Sequence, residues 1–545
     1  MVDDADASVD TGSRDRPPAA PAASEPWRPT FNPWAIAVIV AMAAFMEVLD
    51  TSIANVALPY MAGNLGASND ESTWVLTSYL VSNAIVLPIS GWLAGLVGRK
   101  RFFMVCLTIF TASSLLCGLA PSLTAIILCR ILQGAGGGGL QPMAQAILAD
   151  TVPPRQRGLA FALFGVTTII APTIGPTLGG WITDNYSWRW IFFINLPVGL
   201  LALFLINRFV EDPPWLQRTK RGGVRVDYIG IALLVVGVGA LQVLLDKGQE
   251  EDWFGSHLIV TLACVAVVGL VALVVWEWRH PTPIVEVKLF KNLNFLGANL
   301  MMFVLGIMLF SSLVMMPLFL QTLMGYTAQS AGMVLSGGGL LLLSLMPVIG
   351  VLSSKVQARY LIAFGWLTLS LAMFYSTRAL DLEISFRSAS LLRIVQVGGL
   401  AFLFVPINLV SYVGMPAQKS NSIAGLVNFM RNMGASVGTS LVTTLIARRA
   451  QVRQVYLVAH TSVGQSTFAG TVPQLSHRLA AAGLETSRAT AQAYARLYGT
   501  VIRQATTLAY IDTFGVLCAG AGLAFVLSFA LRRNDPTAAG AARLE

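Results

Sequence analysis

Hydrophobic residues run along this chain in long blocks, each bounded by a short polar or basic stretch. A bilayer core of about 30 Å needs about 20 apolar residues in helical form. On that length the pattern predicts fourteen membrane helices, at roughly 34–60, 74–97, 102–120, 122–149, 158–183, 189–208, 227–246, 257–279, 295–321, 330–352, 360–376, 389–412, 421–447 and 507–531. The expected fold class is therefore an all-α polytopic membrane protein.

Residues 1–33 ahead of the first block are polar and rich in Asp, Ala and Pro. They lack the basic start, short apolar core and small-residue cleavage site of a signal peptide. Their composition suits a disordered cytoplasmic tail. Trp27 and Trp34 stand where interfacial aromatics gather.

Basic residues orient the spans. With the N-terminus inside, the inner loops hold sixteen Lys and Arg, including Arg99, Lys100, Arg101, Arg218, Lys220, Arg221 and Arg225. The short outer loops hold only Lys247, Arg378 and Arg387. Both ends, including 532–545, are expected in the cytoplasm. Residues 448–506 form a long outer loop with seven arginines and one acid, Glu485. Long loops cross membranes largely regardless of charge, so the topology stands. Its alanine-rich stretches predict a short helical hairpin outside the membrane, either a solvated loop or a docking surface for a partner.

Composition sharpens the class. Of 545 residues, 55% are hydrophobic and 12% charged. A soluble domain carries about 25% charged residues, so an ordinary cytosolic enzyme is excluded. The net charge of +9 sits in loops, as topology signals do, and does not point to nucleic acid. Cys106, Cys117, Cys129, Cys264 and Cys518 lie in or beside apolar blocks without metal-site spacing, as small buried hydrophobes do. No GxxxxGK[ST] phosphate loop, zinc motif or Ser-His-Asp arrangement is present. The expectation is no enzyme activity and no cofactor or metal.

The chain also repeats itself. Pro88-Ile-Ser-Gly91 recurs as Pro347-Val-Ile-Gly350, and Gly175-Pro-Thr-Leu-Gly179 as Gly434-Ala-Ser-Val-Gly438, both at an offset of 259 residues. Arg130-Ile-Leu-Gln133 recurs as Arg393-Ile-Val-Gln396 at 263. Three matches in one order at nearly one spacing imply two parallel six-helix bundles, 34–208 and 295–531. The 209–294 linker carries two extra helices without repeat partners. Paired membrane repeats around a central site are the architecture of alternating-access carriers.

The motifs resemble the major facilitator superfamily, and specifically its fourteen-span drug:proton antiporter branch of the EmrB/QacA type. Leu49-Asp-Thr-Ser-Ile-Ala-Asn55-Val-Ala-Leu-Pro59 is similar to that branch's first-helix motif. Gly91–Arg101 (GWLAGLVGRKR) resembles the superfamily loop motif, with Gly91, Gly98, Arg99 and Lys100 as motif positions. Arg130, Gln133 and Gly134 resemble the fourth-helix motif, and Gly175, Pro176, Gly179 and Gly180 the antiporter motif. Trp188–Pro197 (WRWIFFINLP) also fits the branch. One position departs: the acid usual four residues after the first loop glycine is Gly95 here. No role in latching the two halves is therefore carried over.

Ionisable groups within predicted spans cost about 2.5–3.5 kcal/mol each at the helix centre and are functional by default. Five stand out: Glu47, Asp50, Arg130, Arg431 and, nearer an end, Arg393. Asp50 and Arg130 fall at similar depth and can pair; Glu47 lies one turn from Asp50 on the same face. A buried carboxylate for which proton and cationic substrate compete would couple inward proton movement to outward export. Asp50 is thus the expected coupling carboxylate, Arg130 its tuner and Glu47 a second acid contacting cations. The plainer alternative is a pair that only fixes helix packing. Asn55, Asn428 and Arg431, with Glu47, are candidates to line a substrate cavity.

Together these imply a proton-coupled multidrug exporter in a bacterial inner membrane, driven by the proton gradient. It would act on amphipathic or cationic compounds and contact protons, membrane lipids and no nucleic acid. The resemblance further implies a periplasmic adaptor and an outer-membrane channel, with 448–506 as the dock. Export of a metabolite, fatty acid or siderophore is the first alternative. A non-transporting sensor or scaffold, needing neither Asp50 nor Glu47, is one of another class.

Overall fold

The first apolar block becomes a helix at Pro33, whose fixed φ suits a first turn, with the Asn32 side chain accepting from the Trp34 N–H at 2.9 Å. Gly66, in the left-handed region at φ +64°, ends it. The computed structural model describes residues 29–213, 226–459 and 466–531. The tails at 1–28 and 532–545, and residues 214–225 with Arg218, Lys220, Arg221 and Arg225, lie outside the described residues.

Seventeen α-helices follow one another among the described residues, with no strand. They are α1 Pro33–Leu65, α2 Asn69–Ser72, α3 Trp74–Val97, α4 Arg99–Leu119, α5 Leu123–Thr151, α6 Arg157–Asn185, α7 Trp190–Phe193 and α8 Asn195–Phe209. Two extra helices come next, α9 Tyr228–Lys247 and α10 His257–Arg279. The rest are α11 Leu293–Thr322, α12 Ala328–Leu352, α13 Ala358–Ala379, α14 Phe386–Ser411, α15 Ser420–Ala459, α16 Ser466–Ala481 and α17 Thr486–Ser528.

Thirteen of the helical segments are long and apolar enough to cross a bilayer. The fourteenth expected span, 421–447, lies within α15 and is absent from that set because Asn421, Asn428, Arg431 and Asn432 dilute its apolar character. It nevertheless packs lengthwise against α11 and α17.

The internal repeat is visible in the packing. In the first bundle α1 lies on α6, α3 on α5, α4 on α5 and α4 on α8. In the second the same partners recur in order: α11 on α15, α12 on α14, α13 on α14 and α13 on α17. The bundles meet where α6 lies along α12 and α14, and where α3 and α5 lie along α15. Of the extra pair, α9 bridges the seam by packing on both α3 and α15, and α10 packs on α9.

The expected hairpin at 448–506 is made by α16 and the start of α17, joined by residues 482–485, but the helices around it are longer than expected. Residues 439–459 contain neither Gly nor Pro, so α15 runs on for 40 residues. The 43-residue α17 likewise starts at Thr486. Both spans thus extend into the segment expected to be loop. α16 lies against α17 through Leu479, Ala489 and Ala493, and Arg453 of α15 binds Asp512 of α17 through two hydrogen bonds of 2.9 and 2.7 Å.

Candidate functional site

The polar centre is assembled by close helix approach. A side chain at Gly134 of α5 would put its Cβ 2.4 Å from the Tyr79 carbonyl oxygen of α3. Small residues of this kind let membrane helices draw together without a hydrophobic drive. The approach presents Arg130, Gln133 and Gln141 of α5 to α1.

Asp50 and Arg130 meet as expected, Nη1 to Oδ2 at 2.6 Å, with both side chains buried. Asp50 Oδ1 accepts from Gln133 Nε2 at 3.0 Å and from Asn195 Nδ2 of α8 at 2.6 Å. Arg130 also donates to Gln133 Oε1 at 2.9 Å and, through Nε, to the Val75 carbonyl at 3.1 Å. Its guanidinium carbon stands 4.2 Å from the Tyr79 ring centroid. This pair is enclosed within the first bundle.

Glu47, one turn away, faces the seam. Its Oε1 accepts from the Tyr79 hydroxyl at 2.9 Å and from Asn83 Nδ2 at 3.1 Å. Its Oε2 accepts from Gln141 Nε2. The other ends of those amides reach the second bundle: Arg431 Nη2 donates to Gln141 Oε1, and Asn432 Nδ2 donates to Asn83 Oδ1 at 3.2 Å. One turn further along α5, Gln145 receives a bond from Asn428 of α15 and gives one to Asn408 of α14. Of the expected cavity residues, Glu47, Asn428 and Arg431 therefore converge, whereas Asn55 is exposed and stands apart from them.

The motif glycines and proline have a specific geometry. Pro176 has no N–H for the Pro172 carbonyl one turn earlier, and the Ser52 hydroxyl of α1 donates to that carbonyl at 3.2 Å. Gly175 permits the approach, since a Cβ there would lie 2.3 Å from Ser52 Oγ. Gly179 packs against Ile53, while Gly180 has open space.

On the side of the molecule that carries the start of α1 and the end of α17, the seam is closed. Gly91 abuts the backbone of Asn421 and Ser422, and Gly158 that of Gly350. Gly98 takes φ +95°, turning the chain into α4. Arg99, buried, pairs with Asp150 of α5 at 2.5 Å, and Ser420 of α15 donates to the same carboxylate at 2.8 Å. Lys100 caps Asn207 and binds Asp212 through its backbone N–H. The missing acid at Gly95 thus coexists with an inter-bundle contact from Ser420 of α15 to Asp150, the partner of Arg99.

Sequence reasoning passed over Gln141, Gln145, Tyr79 and Asn83, and met Asn195 only as part of the Trp188–Pro197 motif, without a role. Each is an uncharged polar residue in an apolar block, a weaker signal than charge. Arg393 also occupies a distinct setting: it donates to Ser312 at 2.9 Å, with no carboxylate partner among the described residues.

Two parallel bundles meeting on a polar seam define a membrane carrier of the alternating-access kind. The chain belongs to the major facilitator superfamily, whose family model matches residues 40–439. It is 40% identical over 425 residues to the multidrug export protein EmrB of Haemophilus influenzae, covering 78% of this chain and 82% of that relative. Against EmrB of Escherichia coli K12 identity is 37%, covering 77% and 81%. Against the fatty acid resistance protein FarB of Neisseria gonorrhoeae it is 38%, covering 81% and 86%. Among solved structures, the proton:xylose symporter XylE superposes with a TM-score of 0.56 at 14% identity, over 92% of this chain and 97% of that one. That likeness concerns the fold alone.

Proposed function

We propose that this protein is a proton-coupled exporter of amphipathic, toxic small molecules that works by alternating access. The observation that carries the reading is a pair of buried carboxylates one turn apart on α1, Asp50 held inside the first bundle and Glu47 held against the seam. A carboxylate at a moving interface can exchange a proton with one side and a cationic group with the other. Asp50 is the coupling carboxylate, Arg130 tunes it, and Glu47 is the second acid, nearest the substrate path. Two curated relatives named for multidrug export support the cargo class.

The proton gradient supplies the energy, without a cofactor. The protein sits in the bacterial inner membrane with both termini in the cytoplasm, as its loop charges favour. The helical extensions within 448–506 serve as the dock for a periplasmic adaptor that passes substrate to an outer-membrane channel.

The test is a dye-driven collapse of an imposed pH gradient in proteoliposomes. Wild type should show dye-dependent proton flux, and Asp50→Asn should lose it while still binding dye. Flux retained in both Asp50→Asn and Glu47→Gln would end the coupling assignment. A second reading, export of an amphipathic carboxylate, is favoured by the Arg431 guanidinium at the seam, which no carboxylate contacts directly among the described residues. A fatty-acid-driven flux without a dye-driven one would select it.

A further inference from the structure

Among the described residues Glu47 makes no direct hydrogen bond or ion pair to the second bundle, yet both of its oxygens lead there. Each is joined to α15 through one primary amide: Oε2 through Gln141 to Arg431, and Oε1 through Asn83 to Asn432. All of these side chains except Asn432 are buried. The orientation of the Gln141 amide is fixed by chemistry. A guanidinium only donates and a carboxylate only accepts, so the amide oxygen must face Arg431 and its NH2 must face Glu47.

We propose that Gln141, seconded by Asn83, is the positioning residue that converts protonation of Glu47 into release of the inter-bundle seam. This rests on the proton-coupled reading above. Oε1 already accepts two hydrogen bonds and Oε2 one, so the incoming proton goes to Oε2. The new O–H needs an acceptor, and the group facing it is the NH2 of Gln141. Donor then meets donor until the amide turns over. After turning, its oxygen accepts from Glu47 and its NH2 confronts the Arg431 guanidinium, another donor, so the link to α15 is lost. No covalent bond other than the O–H changes: the proton enters from water, and its departure restores the amide and the link.

Among the described residues the charged or titratable groups facing Glu47 are few. They are Asp50 on its own helix, Tyr79 of α3, and Arg431 across the seam. From α5, Arg130 approaches but is committed to Asp50. The stretches of α6 and α8 at that depth carry none. The switch is therefore set by Glu47, with Asp50 as the one neighbour of like charge.

The experiment places spin labels at Arg155 and Lys355, exposed positions beside the Gly158–Gly350 contact. The full chain, with its native cysteines replaced, is studied in lipid nanodiscs. Wild type should shift from a short to a long label distance as the buffer passes from mildly alkaline to mildly acidic. Glu47→Gln should hold the long distance at every pH. Gln141→Leu should cut the pH-dependent change in population by at least about fivefold, the lower range of site-to-site coupling. Gln141→Glu offers one oxygen to the protonated Glu47 and the other to Arg431, so no donor meets a donor, and the short distance should persist at acidic pH. A wild-type transition retained in both Gln141 variants overturns the relay. A transition left intact in Glu47→Gln also overturns the relay, whereas a wild type that shows no substrate-dependent proton flux at all ends the proton-coupled reading itself.

Discussion

Arg393 donates to the hydroxyl of Ser312 at 2.9 Å. In the first bundle the repeat-related Arg130 meets the carboxylate of Asp50 at 2.6 Å. The repeat has kept the arginine and the glutamine one turn on, but only one copy has the acid. Removing one partner of a buried ion pair strands the other and costs about 3–5 kcal/mol. Removing a buried charge that has no carboxylate partner relieves a desolvation cost instead. Arg130→Gln should accordingly lower thermal stability in detergent by that amount, whereas Arg393→Gln should be neutral or stabilising. Equal losses from the two variants, read by thermal unfolding, would refute the asymmetry.

The Ser52–Pro172 hydrogen bond accounts for how α1 docks on the proline-bearing α6. Ser52→Ala leaves a buried carbonyl unpaired, at a cost of about 1–3 kcal/mol. Gly175→Val drives a branched side chain into the place of Ser52 and should cost at least as much, with loss of transport. Ser52→Thr keeps the hydroxyl and should retain most activity. A transport assay in which Ser52→Ala matches wild type would remove the bond from the mechanism.

Two glycines of the loop motif should behave in opposite ways. A Cβ on Gly91 would stand 2.6 Å from the backbone of Ser422, while one on Gly95 meets nothing within 4 Å. Gly91→Ala must therefore push α3 from α15 and open the seam on the side of the chain ends. Gly95→Ala, and Gly95→Asp by the same geometry, should leave it closed. Label distances across that side give the answer, and a closed seam in Gly91→Ala would contradict the packing.

Much of this arrangement was legible in the sequence. Charge is rare in apolar blocks, so Asp50, Arg130 and Glu47 stood out, and repeat offsets marked the two bundles. The Asp50–Arg130 pair could be foreseen from depth alone. What escaped was the polar but uncharged layer. Gln141, Asn83 and Asn195 cost less to bury than an ion, so nothing in composition separates them from residues that merely glue helices. Their partners lie far away in the chain: Gln141 meets Arg431, 290 residues on. The length of α15 was missed for another reason. Membrane thickness ends a span but not a helix, and without Gly or Pro after Gly438 the helix persists to Ala459.

The extension of α15 is clasped to the α17 span by Arg453 and Asp512, whose two hydrogen bonds form a bidentate pair. The Arg453 side chain is 40% exposed and that of Asp512 19%, so water and salt screen the attraction. A pair of this kind contributes about 0.2–1 kcal/mol. Arg453→Gln should therefore lower thermal stability only slightly, and the difference from wild type should shrink as salt is raised. Transport in proteoliposomes, where no adaptor is present, should be unchanged. If Arg453→Gln abolishes transport there, the clasp belongs to the carrier's own cycle, and the extension would be a moving part of the carrier instead of a surface awaiting a partner.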